Sequence, residues 1–248
     1  MRLCIEFTTE ETLQLPIHYN HLAQAMIYNS LDQELATFLH DRGYEAGGRT
    51  FKLFTFSRLI GKYRIDQGKI GFDPLVKLMV ASPVEQFCQS LLNGLLTKNE
   101  LELGPALVKV GSVKVEKPEV TKESIKLKLL SPAVAYSTLF RGDGSKYTCY
   151  YQPGDAEFTR IVAENLRKKY RAIHNSEAPE GEVKIKPLGQ PKLHVLEYKG
   201  NVIKGYSGTL VVSGPPELLQ VAVDAGIGSK NSMGFGCVEL LNYNMKER

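Results

Sequence analysis

The order of strand-like and helix-like segments in this chain runs twice through the same six-step cycle. MRLCIEFT (1–8) reads as a strand, and HYNHLAQAMIYN (18–29) as a helix with Leu22, Ala25 and Met26 on its apolar face. Ser30, followed three residues later by Gln33, fits a capping box. A second helix is therefore expected to start there and run through LDQELATFLH to a stop near Gly43. FKLFTFSRLI (51–60) reads as a strand, KYRIDQGKIGFD as a hairpin turning at Asp66-Gln67-Gly68, and LVKLMVA as a further strand. Pro83 opens the helix PVEQFCQSLLNGLL (83–96), and LELGPALVKVGSVKVE returns to strand. KPEVTKES (117–124) is charged, contains proline and lacks apolar periodicity, which marks a boundary.

Beyond it the cycle restarts. IKLKLLSP is a strand, and an irregular stretch follows through RGDGSKYTCYYQPGD. DAEFTRIVAENLRKKYRAI is a helix, with Phe158, Val162, Leu166 and Tyr170 recurring every fourth residue. EVKIKPL, KLHVLEYK and VIKGYSGTLVVSG are strands, PPELLQVAVDA is a helix, and FGCVELLNY closes as a strand. Two β-α-β-β-α-β cycles predict an α+β fold of tandem ferredoxin-like domains, each an antiparallel sheet with two helices on one face. The expected domains are residues 1–118 and 119–248. The alternative is a single irregular α+β domain.

Composition excludes more than it identifies. The chain has 248 residues, 43% hydrophobic and 23% charged, which suits one large or two modest globular domains. No window approaches the roughly 18 uncharged apolar residues of a membrane span, so no membrane partner is expected. The N-terminus reads as a strand rather than a signal peptide. Cys4, Cys88, Cys149 and Cys237 lie far apart with no C-x-x-C pair, which argues against a zinc site or a disulfide framework. A reducing, cytoplasmic setting follows. The net charge of +4 permits a polyanionic partner without requiring one.

GIGSKNSMGFG (226–236) carries glycine at 226, 228, 234 and 236. It contains no G-x-x-x-x-G-K-[ST] run, and Asn231 stands where a dinucleotide fingerprint needs its third glycine. Both of those motifs aim a helix N-terminus at phosphate, whereas this loop follows a helix C-terminus, whose dipole end is negative. An anion held here would be held by loop amides and by Lys230, with Asn231 and Ser232 adding hydrogen-bonding groups. The plainer alternative is that Gly226 ends the helix and the rest is a wide turn.

Tyr28, His40 and Lys52 form a second constellation. On one unbroken helix Tyr28 and His40 would be about 18 Å apart and point about 120° away from each other. A break at Asn29-Ser30 removes that objection, and Gly43, Gly47 and Gly48 give slack for Lys52 to join. Independent roles remain open: a surface His, a core Tyr and a Lys guarding a sheet edge. Arg58, Lys62 and Arg64 cluster around the first hairpin and could track a polyanion. The RKKYR run (167–171) reads as a solvated helix end.

IYNSL, the FLH preceding FKLFTFSRL, LLNGLL, LLSPAVAY and above all AGIGSKNSMGFGCVEL resemble the CRISPR repeat-RNA-processing endoribonucleases of the RAMP superfamily. The resemblance runs from Met1 to about Tyr243. It implies tandem ferredoxin-like domains and one cut in each repeat of a precursor transcript. It also implies cleavage without metal or other cofactor, leaving a 5′-hydroxyl and a 2′,3′-cyclic phosphate or a 3′-phosphate. By local match a catalytic Tyr, His and Lys fall on Tyr28, His40 and Lys52, although a GYEAGGRT stretch lengthens the interval between the last two. His40 is then general acid or base, Lys52 the clamp on the scissile phosphate, and Tyr28 a hydrogen-bond donor. Gly226, Gly228, Lys230, Asn231, Ser232, Gly234 and Gly236 become the RNA-backbone cradle, with Arg58 as a further contact. The implied partner is repeat RNA, with a CRISPR effector complex and a second copy of the chain as further candidates. The rival reading keeps the fold and drops the chemistry, leaving a non-cleaving repeat-RNA-binding subunit.

Overall fold

A computed structural model of the chain describes residues 1–241. The first half contains β1 (Arg2–Thr8), β2 (Leu13–Pro16), α1 (Asn20–Asn29), α2 (Gln33–Asp41), β3 (Tyr44–Ala46), β4 (Arg49–Phe51) and β5 (Thr55–Phe56). It continues with β6 (Tyr63–Asp66), β7 (Lys69–Phe72), β8 (Leu75–Ala81), α3 (Glu85–Thr97), β9 (Leu101–Leu103) and β10 (Ala106–Glu116). The second half contains β11 (Ser124–Leu129), β12 (Ala135–Phe140), β13 (Lys146–Tyr151), α4 (Ala156–His174), β14 (Lys184–Tyr198), β15 (Asn201–Ser213), α5 (Pro216–Ala225) and β16 (Val238–Leu241). The expected closing strand extends to Asn242 and Tyr243, which lie outside the described residues, as does the end of the second expected domain.

The main sheet of the first half runs β5-β8-β1-β10-β9, and that of the second runs β14-β15-β11-β16. Their strands pair antiparallel. Setting β9 aside, both sheets order the strands of their cycle as second, third, first, fourth. This shared permutation is the duplication seen in the sequence, and the fold is tandem ferredoxin-like. Each half has its own core. Phe7, Phe54, Phe56, Phe72 and Phe87 fill the first, and Phe158, Leu166, Leu218 and Val238 the second. No helix among the described residues is long and apolar enough to cross a membrane.

Several local expectations give way to tertiary packing. The buried face of α1 is Asn20, Ala23, Met26 and Ile27, while Ala25 is exposed and Leu22 only half-buried. Ser30 does not cap the second helix. Its hydroxyl donates back to the Met26 carbonyl at 2.9 Å and so closes α1. Asp32 is the cap of α2, its carboxylate accepting from Leu35 N at 2.9 Å. The break between the helices is real, but its signal lies two residues later. Gly43 does end α2, its N–H donating to Phe38 O at 2.8 Å with φ +77°. The expected strand 51–60 is interrupted where Leu53 takes φ +52°. Arg49–Phe51 pairs with Tyr44–Ala46 instead, Thr55–Phe56 joins the main sheet, and Ile60 adds a single bridge to Lys77 of β8. The stretch expected to be irregular holds the β12–β13 hairpin. The expected pair EVKIKPL and KLHVLEYK is one strand, β14, whose register shifts between Leu188 and Lys192.

Candidate nucleic-acid interface and active site

The glycine loop is folded onto itself. Gly226, Gly228, Gly234 and Gly236 all have φ between +67° and +83°, and all are buried. Ile227 N donates to Gly236 O at 2.8 Å, Ser229 N to Val134 O at 2.8 Å, and Gly236 N to Pro132 O at 2.9 Å. A side chain on Gly228 would run into the Val134 carbonyl, and one on Gly236 into that of Ile227. Asn231 is buried too, its amide donating to Ile227 O at 3.1 Å and Phe235 O at 3.0 Å. The amide cradle expected from sequence is therefore narrowed, because these amides are engaged by the protein's own carbonyls. Ser229, Lys230 and Ser232 keep partial exposure.

Lys169 holds the loop from beneath. It is 2% exposed, and its Nζ donates to Ala225 O at 3.1 Å, Gly226 O at 2.7 Å and Asn231 Oδ1 at 2.7 Å. Burial draws its pKa down to about 7. The solvated-helix-end reading of RKKYR thus fails at its central residue. Lys169 continues the buried face of α4 through Phe158, Val162, Asn165 and Leu166, and it reaches the carbonyl end of α5. A lysine three residues past Leu166 on a largely apolar face was the signal available in the sequence.

The loop is also fastened to the first half. Asn20 Nδ2 donates to Met233 O at 3.0 Å, Gln24 Nε2 to Ser232 O at 2.7 Å, and Thr55 Oγ1 to Phe235 O at 3.1 Å. A side chain on Gly234 would strike the Phe56 ring at 2.6 Å. Where β4 and the chain after it face the loop, a cleft of about 470 Å³ opens. Arg49, Lys52 and Phe54 line one wall, and Tyr136, Lys230 and Ser232 the other. No acidic side chain among the described residues lines it. Lys230 Nζ sits 5.3 Å from the centre of the Tyr136 ring.

Lys52 connects this cleft to the end of α2, where its Nζ donates to His40 O at 2.9 Å and Arg42 O at 3.5 Å. Burial lowers its pKa, and nearby Asp41 opposes that shift. The His40 ring is 82% exposed, and its Nδ1 pairs with Asp41 Oδ1 at 2.7 Å. Tyr28 packs edge-on against Phe54 with ring centres 5.8 Å apart. Burial, with Tyr198 as a lesser cause, pushes its pKa up to about 12. Tyr28 and His40 line a second cleft, of about 710 Å³, with Gln33, Lys98 and Glu100. Lys52 therefore meets the backbone of His40 and shares a cleft with Lys230, whereas Tyr28 and His40 line the neighbouring one. Arg58 lines neither. It is half-buried, with burial lowering its pKa and Tyr19 and Tyr63 opposing the shift, and its backbone N–H donates to Leu130 O at 3.1 Å.

Residues 14–114 match the family model described as CRISPR-associated protein Cas6, N-terminal, and residues 115–240 that of CRISPR associated protein Cas6, C-terminal. The chain is 27% identical over 245 residues to CRISPR-associated endoribonuclease Cas6 1 of Methanocaldococcus jannaschii, covering 96% of this chain and 92% of that one. It is 26% identical over 250 residues to CRISPR-associated endoribonuclease Cas6 of Pyrococcus furiosus, covering 97% and 90%. A solved structure described as CRISPR associated protein Cas6 superposes with a TM-score of 0.79 at 26% identity, covering 97% of this chain and 99% of that one.

Proposed function

From the premise that the chain belongs to the Cas6 family, matched over both of its halves, we propose that it is a metal-independent endoribonuclease that cuts once in each repeat of a CRISPR precursor transcript. The 2′-hydroxyl attacks the adjacent phosphate, and the products carry 5′-hydroxyl and 2′,3′-cyclic phosphate ends. The observation that carries this reading is the acid-free cleft joining Lys52 of the first half to Lys230 and Ser232 of the second. Such a cleft attracts a phosphate backbone and holds it at the end of α2.

Each residue has a task. With Nδ1 of His40 engaged by Asp41 Oδ1, Nε2 is the atom left to take or give the proton. Lys52 stabilises the charge that grows on the scissile phosphate. Tyr28, with its pKa near 12, stays protonated and donates a hydrogen bond that positions the 2′-hydroxyl or the phosphate. Residues 1–118 supply the chemistry. Residues 119–248 grip the RNA through Lys230 and Ser232, with Gly226, Gly228, Asn231, Gly234 and Gly236 shaping the loop. Arg58 adds a contact outside the cleft.

The test is incubation of wild type and His40→Ala with the host's repeat RNA in EDTA, with mapping of the product ends. Wild type is expected to cut at one position and leave a cyclic phosphate, and the variant to be slower by about 10²- to 10⁴-fold while still binding. A His40→Ala variant that cuts at the wild-type rate would remove His40 from the mechanism. Activity that disappears in EDTA would remove metal independence.

A further inference from the structure

The β12–β13 hairpin belongs to neither main sheet. Its base is tied to the glycine loop, where Val134 bridges Gly228 and accepts from Ser229 N at 2.8 Å. Side chains alternate across a hairpin, so the cross-strand pairs Tyr136–Tyr150, Thr138–Thr148 and Phe140–Lys146 share one face. That face begins in the cleft, with Tyr136 beneath Lys230. The Tyr136 and Tyr150 rings lie 5.9 Å apart, and the Tyr150 hydroxyl donates to Val202 O at 3.0 Å, fixing the hairpin to β15. Further out the face leaves the core. Phe140 is 66% exposed, and Lys146 Nζ stands 5.7 Å from the centre of its ring.

We propose that this face is a binding surface for unpaired nucleotides of the RNA as the strand leaves the cleft, with a base stacking on Phe140 and a phosphate meeting Lys146. The inference rests on the repeat-RNA reading above and adds a subsite to it. Three features favour RNA as the occupant. The face is continuous with the cationic cleft through Tyr136 and Lys230. It pairs an exposed ring with a cation, the combination that binds single strands through base stacking and phosphate contact. From Tyr136 to Phe140 it extends about 13 Å, at about 3.3 Å per residue, which gives an extended strand a track rather than a single contact.

The test measures affinity of the full chain for single-stranded RNA of the host's repeat sequence, and for the same RNA cut back on either side of the cleavage position. Phe140→Ala is expected to weaken binding of the full repeat by about tenfold, the contribution of one stacked base. Phe140→Tyr, which keeps the ring, should bind as wild type does. Cutting back one side of the RNA should weaken wild type by a similar factor and leave Phe140→Ala no weaker than before. Equal affinity of Phe140→Ala and wild type for the full repeat overturns the proposal. So does a Phe140→Ala variant that changes its oligomeric state but keeps its RNA affinity, because the face would then dock protein. If wild type fails to bind repeat RNA at all, the repeat-RNA reading falls and this inference falls with it.

Discussion

Lys169 carries an ammonium into the second half's core, where its partners are carbonyls of Ala225, Gly226 and Gly228 and the amide oxygen of Asn231. The end of α5 supplies negative dipole there, so a cation suits the place even without a carboxylate bonded to it. Replacing it with Met removes the donor and leaves buried carbonyls facing a methyl group. Lys169→Met should destabilise the protein by about 3 kcal/mol, the order of the cost of buried unpaired acceptors. The pH dependence has a definite sign. The folded pKa of about 7 lies below the ordinary 10.5. Between those values the unfolded chain holds a proton that the folded one has released, so this group makes stability rise with pH. Denaturant melts at pH 7 and pH 9 should therefore show the gap between wild type and Lys169→Met widening, by at most about 1.4 kcal/mol per pH unit. A gap that stays constant would mean that the ammonium remains charged in the folded protein throughout.

The glycine loop is the element where sequence and structure diverge most usefully. Its glycines read as a surface built for phosphate, and all four take positive φ, with carbonyls of the chain itself crowded against Gly228 and Gly236. Gly228→Ala and Gly236→Ala should each cost about 2–5 kcal/mol, combining a left-handed backbone penalty with overpacking. Thermal melts would check this, and wild-type stability in either variant would contradict it. The duplicated cycle was legible because each element carries its own periodicity. The break before α2 is legible as well, although Ser30 closes α1 rather than opening α2, because its hydroxyl turns back to Met26. The split of 51–60 was hidden, since nothing in FKLFTFSRLI announces a left-handed Leu53. The β12–β13 hairpin was hidden behind a polar, glycine-bearing turn, RGDGS, that resembles loop. The joining of Lys52 with Lys230 depends on contacts between residues far apart in the chain, and no local pattern reports those.

At the scale of the whole molecule the two halves are joined by buried and part-buried polar contacts. Arg2 is 5% exposed and donates to Val238 O at 2.9 Å. The N-terminal ammonium pairs with Asp224 at 3.0 Å, and Ser131 donates to Phe56 O at 3.0 Å. With the loop's bonds to Asn20, Gln24 and Thr55, these contacts should make the halves unfold together. Calorimetry is expected to give one transition, and two separated transitions would contradict that coupling. The same joint brings Arg49 and Lys52 of one half and Lys230 of the other into one cleft, the one proposed to hold RNA. If all three neutralise phosphates of one single strand, log Kd against log salt should change with a slope of about 2, near 0.7 per phosphate contact. Lys52→Ala and Lys230→Ala should each lower that slope by about 0.7, and the double variant by about 1.4. Additive losses from cations on opposite halves would mean that one phosphate backbone spans the cleft. An unchanged slope in Lys230→Ala would instead mean that the loop shapes the cleft without touching phosphate, leaving the grip to Arg49 and Lys52.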